Sequence, residues 1–145
     1  MFLDILVCVD GSPSARKAIE QAVDLARAQN SKLTLMGVAP PVSAYVTLGG
    51  ISCEQMTAEL ERWADGNIAE AAASLPDDVV AHTLRRSGHA GEEIVRELER
   101  GRYDLVVLGS RGRGPASEGL LGSVNGYVHF HSRVPVLSVP ADQGN

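Results

Sequence analysis

The sequence predicts an α/β fold in which helices cover both faces of an open, mostly parallel five-stranded sheet. Short apolar segments rich in β-branched residues alternate along the chain with segments whose apolar residues recur every three or four positions. Turn-forming residues separate these segments. Because the chain has 145 residues, the usual size of one compact domain, we expect a single domain over residues 1–145.

The first predicted unit is a strand, a tight turn and an amphipathic helix. Residues 2–9 are almost continuously apolar, which is typical of a strand buried on both faces of a parallel sheet. Asp10 and Gly11 end this strand, Ser12 can cap a helix, and Pro13 suits the first helical position. The apolar helical positions that follow are Ala15, Ala18, Ile19, Ala22, Val23 and Ala26.

The second unit contains a long connection. Residues 32–38 read as a strand, and from Pro40 to Ser52 the chain forms an irregular loop whose length suits a cover over a ligand. A helix then spans residues 52–75. We interpret its apolar stripe as core; the stripe consists of Met56, Leu60, Trp63, Ile68 and Ala71.

The remaining sequence repeats the alternation. A strand at 79–84 precedes a short helix containing Ile94, Val95 and Leu98, which Gly101 ends. Another buried strand covers 103–108, and a glycine-rich stretch covers 109–122. A last helix over 123–132 leads into a strand at 134–139.

Composition narrows the class of protein. The formal net charge of -5 argues against a general attraction to nucleic acid or anionic lipid, so any phosphate site must be local. The two cysteines, Cys8 and Cys53, have no metal-binding spacing and fit a reducing compartment. No signal-peptide pattern and no apolar run of membrane-spanning length is visible, so we expect a cytoplasmic location.

The glycine-rich stretch is the candidate ligand site. Gly109-Ser110-Arg111-Gly112-Arg113-Gly114 follows a buried strand, and Gly122-Ser123 precedes a helix. Exposed N–H groups at a helix start, the positive end of its dipole and glycines that admit close approach all stabilise an anion. The alternative is a surface loop whose glycines only serve turns. Neither a P-loop motif nor a dinucleotide fingerprint is present.

The other polar residues carry little specific chemistry. Asp10 could serve as a base or metal ligand, although a ribose or turn contact is more typical of a lone carboxylate at this position. His129 and His131 are two residues apart in a predicted helix, so they point to different faces and form a poor chelating pair. No nucleophile lies beside a base, and we therefore predict no efficient catalysis and assign no catalytic or metal-ligating residue.

The arrangement of the glycines resembles the nucleotide-binding motif of the universal stress protein family. The spacing is Gly109-x-x-Gly112, nine residues, and then Gly122-Ser123. Four surrounding segments match that family at the expected intervals: Ile5-Leu6-Val7-Cys8-Val9-Asp10-Gly11-Ser12, Gly88-His89-Ala90, Asp104-Leu105-Val106-Val107-Leu108-Gly109-Ser110-Arg111-Gly112, and Val134-Pro135-Val136-Leu137-Ser138-Val139. The resemblance covers essentially the whole chain.

This resemblance implies a Rossmann-like sheet with strand order 3-2-1-4-5 and an ATP-binding, stress-response or regulatory role. ATP, ADP or AMP would be the ligand, with or without magnesium. It also implies a homodimer through the last strand, at Val136, Leu137, Ser138 and Val139. The binding residues implied are Asp10, Gly11, Ser12, Val38, Leu108, Gly109, Arg111, Gly112, Gly122, Ser123, Val124 and Asn125.

The sequence departs from that family's pattern at one place, and two alternative functions remain open. Asn125-Gly126 stands where that family more often has a small hydroxyl residue and a helix former, and glycine inside a helix costs about 1 kcal/mol relative to alanine. The first alternative is an enzyme of the related nucleotide hydrolase or flavoprotein folds, which share this architecture. The second is a nucleotide-free dimeric scaffold.

Overall fold

The computed structural model describes residues 1–42, 52–111 and 123–141. These residues form five strands and four helices in strict alternation. The sheet is parallel throughout, in the order β3-β2-β1-β4-β5, which confirms the predicted fold. The elements are β1 Asp4–Cys8, α1 Pro13–Gln29, β2 Lys32–Ala39, α2 Cys53–Ala73, β3 Ala81–Ser87, α3 Ala90–Arg100, β4 Leu105–Gly109, α4 Ser123–His131 and β5 Val136–Val139.

Strand β1 lies at the centre of the sheet, with β2 on one side and β4 on the other. Val7 is in register with Leu35 of β2 and with Val107 of β4. The three side chains are fully buried, as expected for strands covered on both faces. Helix α1, which follows β1, and helix α4, which follows β4, pack on opposite faces of the sheet. In open α/β sheets such a reversal is where a ligand-binding crevice forms, at the carboxyl ends of the strands.

Two apolar clusters fill the space above and below the sheet. Successive side chains of a strand point to opposite faces, so Ile5 and Val7 join the cluster under α1 and α2, whereas Leu6 joins the cluster under α3 and α4. Both clusters are built almost entirely from aliphatic side chains. This agrees with a sequence in which aromatic residues make up only 4%.

Helix α1 begins and ends where the sequence predicts. The Ser12 hydroxyl accepts a hydrogen bond from the Ala15 N–H at 3.2 Å, and Pro13 occupies the first turn. Asn30 ends the helix in the left-handed conformation, with φ 58°. The buried face has the predicted apolar spacing.

Helix α2 departs from the predicted core: of the predicted stripe, Ile68 and Ala71 are buried, whereas Met56 and Leu60 are only partly buried. Its sheet-facing residues are Ala64, Ile68 and Ala71, and the Trp63 side chain is 38% exposed, so the prediction that Trp63 is core is wrong. At 3.6 residues per turn, Trp63 lies roughly 100° around the helix from Ala64. The helix also approaches β2 closely, because a Cβ at Gly37 would lie only 2.8 Å from Ile68 Cγ1.

A charged side chain of α3 is buried and hydrogen-bonded. Glu97 of α3 is buried, and its carboxylate accepts hydrogen bonds from the Tyr103 hydroxyl at 2.8 Å and from Arg86 Nη2 at 3.2 Å. Burial, and secondarily the bond to Glu97, raises the pKa of Tyr103 to about 12. The ion pair between Glu97 and Arg86 therefore joins α3 to the edge strand β3, and the buried carboxylate is not left unpaired.

Candidate functional site

The turn after β1 is fixed by its own side chains. The Asp10 carboxylate accepts a hydrogen bond from the Ser12 N–H at 2.9 Å, and Gly11 adopts φ 78°, a conformation that glycine adopts without strain. The Ser12 side chain is 2% exposed and caps α1. These bonds hold the turn, which presents the Asp10-Gly11 backbone at the carboxyl edge of the sheet.

The segment that leaves β4 is fastened to the first turn of α1. The Ser14 hydroxyl donates to the Arg111 carbonyl and accepts from the Arg111 N–H at 3.3 Å, and the Ser12 hydroxyl lies 3.4 Å from the same carbonyl. The start of the glycine-rich stretch is therefore held against the turn after β1. No local sequence signal predicts the part that Ser14 plays here.

Gly109 makes this close packing possible. A Cβ at this position would lie 2.7 Å from the Ala15 nitrogen and would also overlap the Ser14 side chain. Only a residue without a side chain lets β4 end so close to α1. The structure thus assigns Gly109 a packing role in addition to any contact with a ligand.

Three of the predicted binding residues, Leu108, Val38 and Val124, lie on the α3 and α4 side of the sheet. Leu108 belongs to the core cluster there, and Val38 and Val124 pack against it. Val38 is near the end of β2, and Val124 is the second residue of α4. The backbone of Val38 and the first turn of α4, which begins at the exposed Ser123, therefore border the same end of the sheet.

Asn125 is directed inwards. Its side chain is 2% exposed, and its Nδ2 donates to the Gly109 carbonyl at 2.9 Å. Its Oδ1 accepts a hydrogen bond from the Ser138 hydroxyl at 3.0 Å. In this structure the side-chain amide is thus committed to protein groups. Gly112 and Gly122, the other predicted loop glycines, lie outside the described residues.

The electrostatics of the edge affect the neighbouring thiol. Cys8 ends β1 two residues before Asp10 and is partly buried. Burial, and secondarily the negative charge of Asp10, raises the pKa of the Cys8 thiol to about 12. Very little of the reactive thiolate is therefore expected at neutral pH. Within the described ranges no cluster of three or more metal-ligating side chains occurs.

A groove lies between helices α1 and α2. This groove has a volume of about 350 Å³, and Gly11 is the only one of the predicted binding residues within the described ranges that lines it. Its charged lining residues are Glu20, Asp24, Glu70 and Arg16. Three carboxylates against one guanidinium give the lining a net negative charge, which disfavours a polyphosphate.

Comparison with known proteins identifies the family. The model of the universal stress protein family matches residues 1–140. The chain belongs to this family. Universal stress protein YxiE of Bacillus subtilis is 31% identical over 96% of this chain and 99% of its own length.

Two solved universal stress proteins have the same fold and a bound adenine nucleotide. One, in complex with cAMP, has a TM-score of 0.64 and 25% identity over 97% of this chain and 98% of its own. The other, from Arabidopsis thaliana with AMP bound, has a TM-score of 0.61 and 20% identity over 97% of this chain and 93% of its own. No helix among the described residues has the length and apolar character needed to cross a membrane.

Proposed function

We propose that residues 1–145 act as one domain that binds an adenine nucleotide, ATP in its fullest form, in the crevice between the ends of β1 and β4. The observation that carries the proposal is the junction at Arg111. Its backbone is bonded to Ser14, so the β1 turn and the start of the glycine-rich stretch border one crevice. Ligands of open α/β sheets bind at this type of reversal in strand order.

The proposed contacts follow from the chemistry of each part of the nucleotide. In this proposal the Asp10 carboxylate would accept hydrogen bonds from the ribose hydroxyls, and the Val38 backbone would meet adenine. The loop glycines, Gly112 and Gly122, and the N–H groups at the start of α4 would hold the phosphates. Arg111 would add positive charge. Magnesium would bind through the phosphate oxygens, as is usual for this ion.

The relatives support adenine nucleotides as the ligand class. The cAMP complex involves a protein that covers nearly the whole of this chain, and the AMP complex has the same fold. ATP as the specific ligand is our extension, which rests on the spacing of the three glycines Gly109, Gly112 and Gly122 and on Ser123. Occupancy would act as a regulatory signal, and catalysis is not part of the proposal.

Calorimetric titration with ATP, ADP, AMP and cAMP tests the ligand directly. We expect Gly112→Val and Gly122→Val to weaken ATP binding by at least about 100-fold, since a side chain would keep the phosphates from the backbone. Gly66→Val is the matched control, because the space around Gly66 in α2 is open. Unchanged ATP affinity in both folded loop variants would refute the proposed site. Mass spectrometry of small molecules released from the purified protein identifies the resident nucleotide.

A homodimer through β5 is the second part of the proposal. Strand β5 lies at an edge of the sheet, and its Val136 and Leu137 are only partly buried in the single chain. An unpaired edge is a ready template for pairing with another copy. Sedimentation velocity across a concentration series should show a dimer. A monomer at every concentration would remove this part of the proposal without affecting the nucleotide site.

A further inference from the structure

A chain of hydrogen bonds runs from the surface of α4 to the end of β4. Its members are His129, Ser138, Asn125 and the carbonyl group of Gly109. His129 Nε2 lies 2.6 Å from Ser138 Oγ, Ser138 Oγ lies 3.0 Å from Asn125 Oδ1, and Asn125 Nδ2 lies 2.9 Å from the Gly109 oxygen. Three elements, α4, β5 and β4, are joined in this way.

The donors and acceptors in this series of hydrogen bonds can be assigned in only one way. A backbone carbonyl can only accept, so Asn125 must present its NH₂ group to Gly109 and its oxygen to Ser138. The Ser138 hydroxyl then uses its hydrogen on Asn125 and accepts from His129. His129 Nε2 must therefore carry a proton, which both the corresponding neutral tautomer and the imidazolium supply. The chain persists whichever of these forms is present.

Asparagine is the side chain that this position requires. It is buried, and it donates at one end while accepting at the other. A carboxylate of the same size would place an acceptor against the Gly109 carbonyl, which leaves a repulsive and unsatisfied buried contact. A serine or threonine is too short to span both partners. The asparagine at position 125 thus has a structural counterpart in Ser138.

We propose that Asn125 and Ser138 are positioning residues that set the spacing between the two flanks of the phosphate loop. Gly109 ends one flank and the first turn of α4 forms the other, and the Asn125 side chain is the tie between them. Strand β5 anchors this tie twice, because the Ser110 N–H also donates to the Val139 carbonyl at 2.9 Å. The inference rests on the proposed function, and it adds that β5 controls nucleotide affinity.

The helix dipole explains why the spacing matters. Phosphate binding depends on backbone N–H groups directed at the ligand, and their contribution falls off within the first turn. A shift of this turn relative to β4 would misdirect those groups. The tie therefore acts on the ligand through backbone position, whereas a buried polar residue with only a structural role would affect stability alone.

Calorimetry with two serine variants separates these roles. Ser138→Ala removes the hydroxyl that orients Asn125, and we expect it to weaken adenine-nucleotide binding about 5- to 10-fold. Ser132→Ala is the matched control, since the Ser132 hydroxyl bonds only to the backbone of Val134 in the described structure, at 2.7 and 3.0 Å. Its affinity should equal that of the wild type. Equal affinities for Ser138→Ala and the wild type would overturn the inference.

A second measurement needs no ligand. Amide hydrogen exchange at Ser110 should be faster in Ser138→Ala and in Asn125→Asp than in the wild type and in Ser132→Ala. Unchanged exchange at Ser110 in both Ser138→Ala and Asn125→Asp would overturn the inference. If the wild type binds no adenine nucleotide while exchange responds as expected, the proposed function fails and the tie between β5 and the loop flanks stands.

Discussion

Hydroxyl and amide side chains at the carboxyl edge of the sheet form hydrogen bonds mainly with the protein's own backbone. Ser12 caps α1, Ser14 holds Arg111, and Asn125 holds Gly109. Each such bond contributes about 1 kcal/mol, and leaving one partner buried and unpaired would cost more. A nucleotide in the proposed site would then be recognised largely by backbone groups. Such a site needs residues that place backbone accurately.

Cys8 provides a test of the local electrostatics at this edge. Because its pKa is raised to about 12 from 9.0, we expect alkylation by iodoacetamide at pH 8 to be at least about 100-fold slower at Cys8 than at the exposed Cys53. Mass spectrometry of tryptic peptides at timed intervals measures both rates. In denaturant the two rates should converge. Comparable rates in the native protein would contradict the assigned environment.

Helix α4 contains a glycine, Gly126, that intrinsic helix propensity disfavours. The structure shows α4 continuing from Ser123 to His131 with Gly126 inside it. The helix is held by packing of Val128 in the core and by the Asn125 side chain rather than by intrinsic propensity. Tertiary contacts therefore offset a glycine that isolated-helix propensities disfavour.

Replacing Gly126 with alanine should stabilise the protein. Nothing lies within 4 Å of a Cβ at this position, so the expected gain is the propensity difference of about 1 kcal/mol. Denaturant unfolding measures it. Gly66→Ala in α2, which is equally open, should give a gain of similar size. A destabilised Gly126→Ala protein would show that the helix needs the glycine for a reason that packing does not reveal.

Across the whole molecule, the amino ends of the two central strands are fastened by one carboxylate. Asp104 precedes β4 and accepts hydrogen bonds from the Leu3 N–H at 2.8 Å and the Asp4 N–H at 2.9 Å, at the start of β1. These bonds to Asp4 and Leu3 lower the pKa of Asp104 below its ordinary value of 3.8. The contact joins residues about 100 positions apart in sequence.

This contact predicts how stability changes in acid. A carboxyl group whose pKa is lower in the folded than in the unfolded state stabilises the protein above the unfolded value, and this contribution is lost as pH falls through the folded value. We expect Asp104→Asn to be less stable than the wild type at pH 6, with the difference shrinking below about pH 3.8. Asp77→Asn, an exposed site outside the contact, is the control. A difference that grows in acid would contradict the assignment.

Most of the architecture was predictable because it depends on local periodicity. The continuous apolar runs of β1 and β4 indicate strands buried on both faces, and the Ser12-Pro13 pair indicates a helix start. Strand ends were less accurate: residues 103–104 were predicted in β4, which begins at Leu105. The orientation of α2 also differed, since Trp63 lies outside the core although its spacing suggested otherwise.

The candidate site divides in the same way. The positions of Asp10 and Gly109 follow from strand ends that the sequence reveals, and their roles toward a nucleotide stay predictions. The inward direction of Asn125 and the parts played by Ser14 and Ser138 were not predictable. Each depends on a partner supplied by another element, and neither composition nor spacing indicates which element will lie opposite.

The amino-acid sequence by itself determined the order and type of the elements, the glycine pattern and the family, because each is written in residues close together along the chain. Only the tertiary structure decided which polar groups meet. The Ser14 and Arg111 bond spans 97 residues, and the Asn125 and Gly109 bond joins a helix to a strand. Such pairings depend on how helices are rotated and seated on the sheet, which the packing of the whole molecule sets.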